Sequence, residues 1–127
     1  MDRTPSVLSP VSPQSVGNSR SNLVPNADIG VVISVISSGF STDPRKVLVP
    51  TRAKADIALT RQISMYVAHV ALGLSLTEVG RKFGRDRTTA AHACRLVEDR
   101  RDDLQFDFLL DHLEAATLKL ARLALRQ

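Results

Sequence analysis

The sequence of 127 residues contains one cysteine, one tyrosine and no tryptophan. A single cysteine excludes an internal disulfide, and the small residues around Cys94 predict a buried structural thiol rather than a reactive one. No run approaches the roughly 18 uninterrupted apolar residues of a membrane span, and no apolar segment follows Met1-Asp2-Arg3. We therefore expect a cytoplasmic protein with no membrane partner.

The common motifs of catalytic and metal sites are also missing. His69, His92 and His112 are isolated, and the chain contains no H-E-x-x-H, C-x-x-C, G-x-S-x-G or Walker A motif. His92 and Cys94 stand two residues apart on a predicted helix, so their side chains diverge and cannot form a catalytic pair or share a zinc ion. The sequence therefore predicts no enzyme activity, no metal and no other cofactor.

Acidic residues are scarce in the middle of the chain. Between Pro44 and Arg101 there are 12 Lys and Arg residues against 5 acids, and the whole chain carries a net charge of +4. A basic surplus of this kind favours a partner with negative charge, such as nucleic acid or an anionic membrane.

Residues 1–26 differ in composition from the rest of the chain. They contain Pro5, Pro10, Pro13 and Pro25 among many Ser and Asn residues, with few apolar side chains to bury. Such a segment cannot offset its ordering entropy, so we predict a disordered arm over 1–26 and one domain over 27–127.

The apolar spacing predicts helices along that domain. The first segment begins at Asp28, which can cap a helix, and contains Gly39, which can end one. Its β-branched residues favour a strand, but the spacing of its apolar residues favours a helix. After a connector and a basic loop over 51–56, a longer helix is predicted before Gly73, and a last helix over about 104–125 should pack across the core. The predicted buried positions of these three helices are Ile29, Val32, Ile33, Ile36 and Phe40; Ile63, Tyr66, Val67, Val70 and Ala71; and Phe106, Leu109, Leu110, Leu113, Ala116, Leu120 and Leu123.

Between the two longer helices, two short helices are predicted around a tight turn. Ser75 and Glu78 form a capping box that begins the first of them at Leu76, and Gly84 can end it in a left-handed conformation. Asp86 then caps a second helix with an inner face of small residues. This is the spacing of a helix-turn-helix. The inner face comprises Ala90, Ala93, Cys94 and Val97.

The outer side of the second helix carries Arg87, Thr88, His92 and Arg95. Arginine can donate two hydrogen bonds to a guanine edge, and a threonine methyl can contact the thymine methyl group. Amides at a helix N-terminus can hold a phosphate. This mixture suits the major groove of DNA better than it suits substrate chemistry.

Three sequence blocks, TRQISMYVA at 60–68, SLTEVGRKFG at 75–84 and RDRTTAAHACR at 85–95, resemble the C-terminal DNA-binding domain of the bacterial replication initiator DnaA. The resemblance extends from about residue 28 to 110. It implies an all-α helix-turn-helix bundle of the Trp-repressor-like type that binds double-stranded DNA. The second helix of the motif would enter the major groove, and the basic loop would reach an adjacent minor groove.

The resemblance also implies individual roles. Asp86, Arg87 and Thr88 correspond to base contacts, and Arg61 and Gln62 to a phosphate-facing pair that should lie on the surface. His92 and Arg95 fall on the same motif, although His92 could instead be a partly buried packing residue. Further positions implied near the DNA are Arg52, Lys54, Ser75, Leu76, Thr77, Arg85 and Thr89.

Three departures separate the chain from the usual family pattern. One glycine of the Phe-Gly-Gly-Arg-Asp-His turn is missing, and Arg87 replaces the histidine. The minor-groove arginine aligns on or beside Ala53, which leaves Arg52 or Lys54 as substitutes. The nucleotide-binding module that precedes this domain in the initiator is absent, so we expect no ATPase activity and no initiator function of its own.

We therefore expect sequence-specific DNA binding by a transcription regulator or by a modulator of replication initiation at DnaA-box-like sites. The alternative is a helical interaction module that has lost DNA binding. Its apolar C-terminal helix would then bind a second copy or another protein. The many basic residues kept in the DNA-facing segments favour the first interpretation.

Overall fold

The computed structural model describes residues 27–49 and 54–125. Within these ranges the chain forms α-helices and no strand, so the all-α prediction is confirmed. The predicted disordered arm over 1–26 lies outside the described residues. The helices are α1 (Ala27–Gly39), α2 (Ala55–Val70), α3 (Leu76–Lys82), α4 (Arg87–Arg100) and α5 (Leu104–Leu125), with a 3-10 turn at Pro44–Lys46 between α1 and α2.

The first apolar segment is a helix and not a strand. Its side chains Val32, Ile33 and Ile36 are buried, and α1 packs against α2 and α5. The spacing of three to four residues places these side chains on one face, and burial of that face outweighs their β-branched preference for strands. The helix begins at Ala27, so Asp28 lies within it.

Helix α2 is the centre of the fold because α1, α3 and α4 all pack against it. The predicted residues Ile63, Tyr66 and Val67 are buried, whereas Val70 at the end of the helix is exposed. Two buried hydroxyl groups satisfy their hydrogen bonds within the helix, since Ser64 donates to the Thr60 carbonyl and Thr60 donates to that of Asp56. Since these polar groups need no water, other helices can pack against α2 on several sides.

The predicted apolar stripe of α5 is only partly correct. Leu110 is buried, but Leu109, Leu120 and Leu123 are exposed, and the buried positions further along the helix are Thr117 and Ala121. The physical reason is that α5 packs mainly against α1, so one narrow face is covered. The other leucines lie outside that face.

A charged network joins the C-terminal end of α4 to α2 and α5. The Arg101 guanidinium donates to the carboxylates of Asp107, Asp111 and Glu114, at 2.8 Å in the last case, and to the Tyr66 hydroxyl at 3.1 Å. Tyr66 in turn donates to Glu98 at 2.7 Å. Burial, together with that hydrogen bond, raises the pKa of Tyr66 to about 12. No sequence motif indicated this network.

Candidate nucleic-acid interface

The first helix of the motif begins as its capping residues predict. The Ser75 hydroxyl accepts a hydrogen bond from the Glu78 amide at 3.1 Å, and the Glu78 carboxylate accepts from the Ser75 amide at 3.0 Å. These two bonds satisfy amides that have no partner within a helix. They confirm the capping box and the start of α3 at Leu76.

The turn between α3 and α4 depends on two glycines. Gly84 has a φ of 70°, a left-handed conformation that glycine adopts without a Cβ clash. At Gly80, a Cβ atom would lie 2.8 Å from the Arg85 carbonyl oxygen, so only glycine permits this approach. The Arg85 amide donates to the Gly80 carbonyl at 2.7 Å. Sequence reasoning missed Gly80, although an isolated glycine inside a predicted helix is a signal of close packing.

Helix α4 begins at Arg87, directly after its capping residue. The Asp86 carboxylate accepts a hydrogen bond from the Thr89 amide at 2.8 Å, which also holds the pKa of Asp86 below its usual value. The predicted inner face is buried at Ala90, Ala93 and Val97. These small side chains let α4 lie close to α2 and α3.

Cys94 lies at the edge of that inner face and is half-buried. Burial raises the pKa of its thiol, and the Glu98 carboxylate raises it further. Since the thiolate is the reactive form, this environment favours an inert thiol.

The outer side of α4 is open to solvent. Arg87, Thr88, Thr89, His92 and Arg95 are all exposed. The exposure of His92 contradicts the alternative that it is a packing residue. Neither Arg87 nor Arg95 forms an ion pair within residues 27–49 and 54–125, so their charges remain available to a ligand.

Arg61 differs from its expected position on the surface. It is only 9% exposed, and its Nε donates to the Val47 carbonyl at 2.6 Å. A second bond of 3.3 Å runs from Nη2 to the Val49 carbonyl. Burial lowers the pKa of the guanidinium, and the charge of Arg85 lowers it further. The expectation that Arg61 is a surface residue is therefore wrong, because its side chain holds the segment before the basic loop.

Arg85 reaches the same segment from the turn. Its Nη2 donates to the Val49 carbonyl at 3.3 Å, and its Nη1 lies 3.4 Å from the carbonyls of Phe83 and Gly84. Two guanidinium groups thus share one carbonyl acceptor. Neither is paired with a carboxylate in the described part of the chain, so this corner of the molecule carries concentrated positive charge.

A cleft of about 110 Å³ lies between α2 and α4 beside these arginines. It brings together five of the residues that the sequence predicted for DNA contact: Arg61, Gln62, Arg85, Thr89 and His92. Ala58, Met65 and Ala93 complete its lining. Guanidinium, amide, hydroxyl and imidazole groups around a small cleft can together bind an oxyanion such as a phosphate.

The other predicted contact residues lie outside the cleft. Ser75 and Thr77 are exposed at the start of α3, and Leu76 between them is partly buried. Lys54 is exposed at the position that precedes α2. Arg52 and Ala53, which bear on the predicted minor-groove contact, lie outside the described residues.

Two kinds of site are not found in the ranges that the structure describes. No three His, Cys, Asp or Glu side chains are grouped there as metal ligands. None of the described helices has the length and apolar character needed to cross a membrane.

Comparison with known proteins points to one family. The profile of the family described as "Bacterial dnaA protein helix-turn-helix" matches residues 29–97, more than half of the chain. A chromosomal replication initiator protein DnaA from Lachnoclostridium phytofermentans is 36% identical over 87 residues, which cover 67% of this chain and 19% of the relative. The DnaA of Mycobacteroides abscessus is 30% identical over 78% of this chain and 21% of its own length. The DnaA of Agrobacterium fabrum is 46% identical over 43% of this chain and 12% of its own. The chain thus spans about a fifth or less of these relatives.

Proposed function

Because the chain belongs to the family of the bacterial DnaA helix-turn-helix, we propose that it binds double-stranded DNA sequence-specifically, with α4 in the major groove. The observation that carries this proposal is the exposed outer side of α4, where Arg87, Thr88, His92 and Arg95 face solvent. The close backbone approach at Gly80 and the Asp86 cap fix where this helix begins. Base recognition requires exposed hydrogen-bonding side chains held on a regular element, and this side of α4 provides them.

Base reading is assigned to the first turn of α4. Arg87 is the first helical residue, and its exposed guanidinium can donate two hydrogen bonds to guanine. Thr88 offers a methyl group and a hydroxyl next to it, and His92 and Arg95 follow on the same side. Asp86 uses its carboxylate to cap the helix, so a direct base contact from Asp86 would have to coexist with this bond.

Phosphate binding is assigned to the cleft between α2 and α4 and to the start of α3. The cleft offers Arg61, Gln62, Arg85 and Thr89 on one side of the recognition helix. Ser75, Leu76 and Thr77 would lie along the neighbouring backbone, where the amides of Leu76 and Thr77 have no partner within the helix. Lys54 and Arg52 would contact the minor groove next to these phosphates.

In the cell, we propose a cytoplasmic role as a transcription regulator or as a modulator of replication initiation at DnaA-box-like sites. The proposal includes no ATPase or other catalytic step and no cofactor. Because Arg87 stands where the family usually has histidine, we expect the preferred site to differ from the family's usual site at the base pair beneath this residue.

Selection of bound sequences from a random duplex pool tests binding and specificity together. One recurrent motif should emerge. If about five phosphates are neutralised, the logarithm of the affinity should fall with the logarithm of salt concentration with a slope on the order of −4 to −5. Absence of enrichment together with a slope near zero would contradict the proposal.

The Arg87→Ala variant tests the base-reading role. We expect it to lose about 1–3 kcal/mol of binding free energy on the selected site and to relax selectivity at one base pair. Arg100→Ala is the matched control, because it removes one positive charge from the same helix roughly 20 Å away. If the variant loses the same affinity for selected and random duplexes, Arg87 contacts only the DNA backbone, and Thr88 or Arg95 would then contact the bases.

The second candidate function is a helical interaction module that does not bind DNA. The observation that favours it is the set of exposed leucines on α5. The same salt titration separates the two functions, because an interaction module would show no DNA affinity at any ionic strength.

A further inference from the structure

His92 is part of the cleft between α2 and α4, together with the guanidinium groups of Arg61 and Arg85. It stands one helical turn after Thr89, which also lines the cleft, and it is exposed. An imidazole in this position would contact the ligand that occupies the cleft.

The groups around this cleft are basic or neutral. Helix α2 supplies Arg61 and Gln62, and the turn before α4 supplies Arg85. Helix α3 also packs against α4 but contributes no residue to the cleft, and no carboxylate of the described residues lines it. Guanidinium groups have only donors, so the ligand that fits between them is an anion with several acceptors.

The carboxylates of α4 itself are engaged elsewhere. Asp86 and Glu98 stand six residues before and after His92, which places each of them about a third of a turn away around the helix axis. Asp86 caps the helix, and Glu98 accepts a hydrogen bond from the Tyr66 hydroxyl. Arg95, one turn after His92, adds a positive charge on the same side. The bound anion would therefore be the acidic partner of the imidazole.

Given the DNA binding proposed above, on which this inference rests, we propose that His92 is a phosphate ligand that takes up a proton when DNA binds. An imidazole titrates between about pH 5 and 8, and its protonated form has two N–H donors and no acceptor. A backbone phosphate keeps its negative charge over this range, so in the cleft it favours the protonated ring. Because proton binding and DNA binding then promote each other, the affinity for DNA rises as the pH falls.

Fluorescence anisotropy of the full chain with a labelled duplex tests this proposal, at constant ionic strength and from about pH 8.0 to 5.5. A charge-assisted hydrogen bond is roughly twice as strong as a neutral one, so the dissociation constant should fall about fivefold over this range. At the acidic end, the plot of log affinity against log salt should be steeper by about 0.9, because one more phosphate is neutralised.

Two variants of His92 fix its charge. His92→Gln should lose the pH dependence and bind at every pH no more tightly than the parent at the alkaline end. His92→Lys should keep the steeper salt dependence at every pH. His112→Gln is the matched control, because the Nδ1 atom of His112 lies 2.9 Å from the Phe108 carbonyl on α5, which contributes no residue to the cleft. It should titrate like the parent.

A selected and a random duplex separate a phosphate contact from a base contact. A phosphate ligand gives the same pH dependence on both duplexes, whereas a base contact gives it on the selected duplex alone. Dependence confined to the selected duplex, or dependence that survives His92→Gln, would overturn the proposal. Binding of the parent with the same affinity at every pH would also overturn it while leaving DNA binding intact. If neither duplex binds at any pH, the proposed function fails, and the role of His92 fails with it.

Discussion

Replacement of Arg61 by alanine should destabilise the fold as well as weaken DNA binding. The side chain is buried and donates to two backbone carbonyls, those of Val47 and Val49. Removal of the guanidinium leaves the Val47 carbonyl without this donor and releases the segment that enters the basic loop. The variant therefore perturbs the folded state before DNA is added.

The magnitude follows from the two bonds. A hydrogen bond to a charged group contributes about 1.5–3 kcal/mol, and the short bond to Val47 should contribute most of this. The bond to Val49 is longer and shares its acceptor with Arg85, so it adds little. Burial of the charge offsets part of the gain. We expect a net loss of about 1–2 kcal/mol, which lowers the melting temperature of a domain of this size by about 5–15 °C.

Thermal and urea denaturation followed by circular dichroism would measure this loss. Arg87→Ala is the control, because Arg87 is exposed and its removal should leave stability unchanged. Arg61→Lys should be intermediate, since lysine keeps the charge but lacks the planar fork that reaches two acceptors. If Arg61→Ala melts within about 2 °C of the parent and still loses DNA affinity, then Arg61 acts only as a surface phosphate contact and the structural role is refuted.

Three further predictions concern the turn, the charged network and the cap. Gly80→Ala should lower the unfolding free energy by about 1–3 kcal/mol, because the added Cβ would meet backbone atoms of Arg85 and Asp86. Gly30→Ala is the control: its Cβ would enter open space, so it should stabilise α1. Urea denaturation would measure both variants. Arg101→Met should lose about 2–4 kcal/mol by the same measurement, and Arg45→Met at an exposed ion pair should show no change. Because the folded state lowers the pKa of Asp86, its charge stabilises the fold above the ordinary value of 3.8, and this contribution disappears as pH falls through the folded pKa. Acid denaturation should therefore show the stability advantage of the parent over Asp86→Asn shrinking as the pH falls below 3.8 and vanishing once Asp86 is protonated in the folded state. A pH-independent difference would contradict this.

The sequence by itself determined the helix-turn-helix, because its signals act over three or four residues. Ser75 and Glu78 satisfy each other's amides, Gly84 takes the left-handed conformation and Asp86 caps the next helix. These choices depend on local geometry and need no knowledge of distant residues. The apolar spacing of α1 and the inner face of α4 are readable for the same reason.

Only the tertiary structure decided which side chains of these helices are exposed and which are buried. The family resemblance places Arg61 on the surface as a phosphate contact. In the structure, the segment 47–49 covers its side chain and offers it two carbonyl acceptors. In the Arg101 network, the hydrogen bond from Arg101 to Tyr66 joins residues 35 positions apart, a distance over which sequence spacing carries no information. On α5, leucines occur on more than one side, and the position of α1 selects the side that is buried. Burial is decided by which helix packs against which, and that depends on contacts between residues far apart in the chain.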